Sequence, residues 1–117
     1  MGAWDDRILN EDINVDFLDD LLDREDSEII EAIHDACVAA TSGGRLSTEE
    51  ERNGLAAATV VAIWAGAPFS GGEIVENYPF IRELIGEGDE ELREKAAELL
   101  ENAEIEEDLD AYLEALS

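Results

Sequence analysis

Asn53 to Gly72 contains no charged residue, in a chain where 32 acidic residues stand against 7 basic ones. This stretch constrains the fold more than any other feature. Its dense apolar part, Leu55 to Ala65, is too short to cross a bilayer, and Gly66 and Pro68 interrupt it. A helix that is apolar on every side must be enclosed by other elements. Residues 1–46 hold 13 acidic and 3 basic residues, and residues 73–117 hold 16 and 3. The expected molecule is an acidic shell around one apolar helix.

The segments on either side supply that shell with helical periodicity. Residues 1–11 read as an irregular N-terminal arm with Trp4, Ile8 and Leu9 available to dock. Asp12 is placed to cap a first helix, whose apolar face is Ile13, Phe17, Leu18, Leu21 and Leu22. Asp26 or Ser27 can cap a second helix reaching about Ala40, with Ile29, Ile33, Ala36, Cys37 and Ala40 inward and Ile30 and Val38 widening the stripe. Ser47-Thr48-Glu49-Glu50 is a capping box for the central helix, which runs to about Ala65. Its alanines allow neighbours to approach closely, and Gly66 suits a left-handed end. Pro79 opens a short helix carrying Phe80, Ile81, Leu84 and Ile85, closed by Gly86. Asp89 caps a fifth, with Leu92, Ala96, Leu99, Leu100 and Ala103 inward. Ile105, Leu109, Tyr112, Leu113 and Leu116 share a last face, and the pattern leaves open whether this continues the fifth helix or turns back near Ala103. The expected fold class is all-α: a compact bundle of five or six helices around an Ala-rich central helix. Residues 1–117 form a single helical domain, with residues 1–11 packed on it.

Charge narrows the partners. A net charge of −25 repels nucleic acid and anionic membranes, and favours a basic protein. Cys37 is alone, so no internal disulfide forms, which fits a reduced cytoplasm. The start has neither the basic region nor the apolar core of a secretory signal.

Several constellations bear on chemistry. Glu31-Ala32-Ile33-His34 has the Glu-x-x-His spacing of carboxylate-bridged metal bundles, with Glu28 and Asp35 on the same side. A full site needs a second such motif, and His34 is the only histidine, so no metal is expected. Asp12-Ile13-Asn14-Val15-Asp16 opens like a calcium loop, but Phe17 stands where glycine is needed and Asp23 where glutamate is. His34 and Cys37 lie one turn apart, yet Cys37 falls on the core face, where a thiol behaves as a small hydrophobe. Gly43-Gly44 and Gly71-Gly72 lack the lysine of a phosphate loop. No catalytic residue and no cofactor are therefore assigned. Trp4 and Trp64 read first as packing anchors. The acidic residues, aromatics and histidine that could still line a pocket are Trp4, Asp12, Asp16, Phe17, Glu31, His34 and Trp64.

Met1-Gly2-Ala3-Trp4, then Asn10-Glu11-Asp12 and Asp16-Phe17, resemble the opening of a bacterial family of small helical proteins, domain-of-unknown-function family 4259. The resemblance continues in the Ala-rich segment Gly54 to Gly66. It reaches Ala96 to Leu100 and the acidic, aromatic-containing Asp108 to Leu113. The chain departs from the family pattern at Asp5-Asp6-Arg7-Ile8-Leu9, where glycines and a phenylalanine are usual. It departs again at Glu106-Glu107-Asp108-Leu109 and Tyr112, where Ser-Glu-Leu and a tryptophan are usual. The resemblance implies no activity; it does imply that the N-terminal arm belongs to the fold.

The function expected from these readings is a cytoplasmic, non-enzymatic binder of a basic protein, immunity-type or regulatory. The alternative is a small enzyme or ligand-binding domain with a pocket near Trp4, Phe17, His34 and Trp64.

Overall fold

A computed structural model describes residues 8–41, 47–67, 76–102 and 110–116. Along them run α1 (Asp12–Leu21), α2 (Asp26–Thr41), α3 (Thr48–Trp64), α4 (Phe80–Glu83), α5 (Glu90–Asn102) and α6 (Asp110–Leu116). There is no strand among the described residues. Helices α1, α2, α4, α5 and α6 all pack on α3, so the fold is the all-α bundle around an Ala-rich centre that the sequence implies.

Both ends of α3 are set locally. The Ser47 hydroxyl accepts from the Glu50 N–H at 3.1 Å, and the Glu50 carboxylate accepts from the Ser47 N–H at 3.2 Å. These two bonds satisfy backbone donors that a helix start leaves unpaired. At the other end Gly66 adopts φ +110°. The Ala67 N–H reaches the Ala62 carbonyl and the Gly66 N–H reaches the Ile63 carbonyl, both at 3.0 Å, which is a Schellman ending. Pro68, expected to stop the helix, lies outside the described residues. Between the caps, every residue from Gly54 to Trp64 is buried. The only polar side chain in that run, Thr59, returns its hydroxyl to the Leu55 carbonyl at 2.9 Å.

The neighbours of α3 follow the expected faces, with corrections on α1, α2 and α4. On α1 the buried residues are Asn14, Leu18 and Leu21; Ile13 and Phe17 are only partly buried, and Leu22 is exposed. The helix is rotated because Asn14, fully buried, donates to the Ile8 carbonyl at 2.7 Å and to Glu11 at 3.2 Å. Those bonds hold Ile8 and Leu9, which are helical rather than irregular and 1% exposed. The cap position of α1 is Glu11, not Asp12, and its side chain makes no cap bond because it is held by Asn14 and Arg52. Similarly, α2 already begins at Asp26, its first turn closing on the Glu25 carbonyl, so Asp26 and Ser27 both lie inside the helix. On α4 the helix ends at Glu83, and Ile85 points to solvent. The chain there is turned by Gly86, whose φ is +100° and whose N–H is tied to the Trp64 carbonyl at 2.7 Å.

Helix α5 buries Leu92, Ala96 and Leu100, with Leu99 partly buried. Helix α6 buries Tyr112 and Leu116 and packs beside both α3 and α5. The last stretch therefore turns back rather than extending α5; Ala103, Ile105 and Leu109 lie outside the described residues. Asp89 caps α5 as expected, its carboxylate accepting from the Leu92 N–H at 2.8 Å. Asp89→Ala is expected to cost about 1 kcal/mol, read by chemical denaturation. An unchanged midpoint and slope would show that this cap adds nothing.

Candidate functional site

Two depressions carry the residues of interest. The first lies between α1 and the start of α3. It is lined by Ile13, Asp16, Phe17 and Asp20 from α1 and by Glu49 and Asn53 from α3, and encloses about 360 Å³. The spacing of the four α1 residues is that of one helix face, and Glu49 and Asn53 lie one turn apart. The floor is apolar and three carboxylates stand around it. Asn53 also lines the groove, but its Oδ1 is buried beneath the surface, where it accepts no hydrogen bond. Arg24 sits at the edge, its guanidinium 2.9 Å from Asp20 Oδ2. Arg52, next to Asn53 in sequence, is directed to both carboxylate oxygens of Glu11.

The second depression, about 240 Å³, lies where α2 meets the turn before α5. Ser27, Ile30, Glu31 and His34 face Gly88, Asp89 and Leu92. Asp89 is already committed to the α5 cap. His34 Nδ1 lies 3.8 Å from Asp35 Oδ1. Among the described residues, no group of three or more His, Cys, Asp or Glu side chains is set to hold a metal ion.

The seven pocket residues are thus dispersed. Asp16 and Phe17 share the α1/α3 groove, and Glu31 and His34 share the second depression. Asp12 is exposed in the first turn of α1. Trp64 is 1% exposed and belongs to the core, its indole Nε1 making no hydrogen bond. Trp4 lies outside the described residues. Sequence reasoning passed over Asp20, Glu49 and Asn53, the other polar members of the groove. Glu49 stood inside the capping box and signalled a helix start. Asn53 stood at the edge of the uncharged run, and that position was its one available signal.

Two buried titratable groups also bear on chemistry. Cys37 is fully buried, and burial pushes its thiol up from 9.0 to about 12, with Lys95 opposing weakly. A thiol held neutral in the core is not an activated nucleophile. The Tyr78 hydroxyl donates to Asp19 at 2.6 Å. Tyr78 is raised from 10.0 to about 12, first by burial, then by that hydrogen bond, then by the charges of Asp19 and Asp16. Protonated near neutrality, its hydroxyl ties the segment before α4 to α1.

No helix among the described residues is long and apolar enough to cross a membrane. Comparison with curated proteins and with solved structures returned no match. The model of a family described as a domain of unknown function (DUF4259) matches residues 2–115, nearly the whole chain, and the protein belongs to that family.

Proposed function

We propose that this protein is a non-enzymatic, cytoplasmic binder of a basic protein, acting as an immunity-type or regulatory partner. The observation that carries the reading is the surface from the end of α1 into α2. Asp19, Asp20, Asp23, Glu25, Asp26 and Glu28 are all exposed there, and the only cation in that run, Arg24, is already paired with Asp20. Such a surface attracts cationic proteins over several ångströms and accelerates their encounter. The buried thiol and the dispersed polar groups support a binding role over a reaction. Immobilised protein, challenged with native lysate at low and at moderate salt, is expected to retain a basic protein that moderate salt releases. Retention of only neutral or acidic proteins, insensitive to salt, would remove the basis of this reading.

A further inference from the structure

We infer that the groove between α1 and α3 receives an arginine side chain from the basic partner. This rests on the function proposed above and names the point of contact. The groove volume, about 360 Å³, falls in the roughly 300–1,000 Å³ range of clefts that hold ligand groups. Ile13 and Phe17 were apolar enough to be expected in the core, yet the rotation of α1 around Asn14 leaves both partly open here. A flat guanidinium and its three-carbon stem match this floor, because arginine stacks on aromatic faces and is weakly hydrated for a cation.

The polar groups match the same ligand. Asp16 and Glu49 stand on opposite helices, with Asp20 at the Arg24 side. A guanidinium carries five N–H donors in one plane, enough to serve carboxylates on both helices together. The protein's own adjacent arginines are engaged, Arg24 with Asp20 and Arg52 with Glu11. A compact ammonium would satisfy the carboxylates but would make less use of the Phe17 face.

The test is a titration of the isotope-labelled full chain with a hexa-arginine peptide, followed by amide NMR, with the hexa-citrulline peptide as the neutral control. Saturable shifts are expected on α1 from Ile13 to Asp20 and at the Asn53 side-chain amide, and none with citrulline. Asp16→Asn/Glu49→Gln should weaken binding about tenfold, since each exposed charge contact contributes modestly. Glu94→Gln/Glu98→Gln, on the exposed face of α5, removes the same charge and should leave affinity within about twofold. Equal losses in both double variants, with shifts scattered over the acidic surface, would overturn the groove and leave the basic-partner reading standing. Failure to bind hexa-arginine even at low salt would overturn both.

Discussion

Replacing Gly54 with alanine is expected to destabilise the protein by about 2 kcal/mol, against the direction of helix propensity. In an open helix the change would gain about 1 kcal/mol. Here a Cβ on residue 54 would lie 2.3 Å from the Ala40 Cβ and 3.5 Å from the Ala36 carbonyl oxygen. Neither neighbour has a rotamer that can move aside, so α2 would have to shift as a unit away from α3. Interiors packed to crystal density resist such shifts. The measurement is urea denaturation of Gly54→Ala, Ala40→Gly and the double variant. Ala40→Gly alone should cost about 1 kcal/mol through helix propensity. In the double variant it should instead recover most of the Gly54→Ala loss, a strong departure from additivity. Additive losses, or a neutral Gly54→Ala, would show that the two helices are not locked at this point.

Alkali is expected to unfold the protein well before its arginines titrate. Below about pH 8, Cys37 and Tyr78 are protonated in the folded and unfolded chain alike, and pH has no leverage through them. Above that, the unfolded chain ionises first, while burial holds both groups protonated in the fold until about pH 12. The folded state then binds more protons, so stability falls as pH rises through this window. At about 1.4 kcal/mol per pH unit, the loss by about pH 11 is on the order of 3 kcal/mol, most of it from Cys37, because the Tyr78 hydroxyl is only partly buried. Denaturation midpoints at about pH 8 and about pH 11 would measure it. Cys37→Ala/Tyr78→Phe should be less stable than the parent at the lower pH, by about 1 kcal/mol for the lost Asp19 hydrogen bond and more for the lost sulfur atom. Its midpoint should nevertheless fall less than half as far. Parallel losses in the two proteins would assign the alkaline transition to other groups.

What could be read from residue order was what depends on near neighbours. The capping box at Ser47, the left-handed Gly66, the Asp89 cap and the buried run of α3 each involve residues within one or two helical turns. The rotation of α1 could not be read in that way. Two stripes compete on it, one through Ile13 and Phe17 and one through Asn14, Leu18 and Leu21, and hydrophobicity alone favours the first. The second wins because a buried amide finds a carbonyl at Ile8 and a carboxylate at Glu11. The groove follows from that rotation, which is why only Asp16 and Phe17 among its residues were anticipated. Contacts such as Tyr78 with Asp19 and Arg52 with Glu11 join residues 59 and 41 positions apart, and no periodicity encodes them.

The position of α3 has a consequence for how the molecule fails. Helices α1, α2, α4, α5 and α6 each rest on the same apolar rod, and between Gly54 and Trp64 that rod has no face of its own suited to water. Detaching any one of them uncovers a strip of alanine, valine and isoleucine. Partial opening therefore gives a sticky species rather than a smaller native protein. Unfolding should be cooperative, with α3 amides the last to exchange and proteolytic nicks confined to the surface until the whole structure gives way. The acidic coat then has a second use, independent of any partner. Mutual repulsion keeps transiently opened molecules apart for the interval in which they could otherwise aggregate.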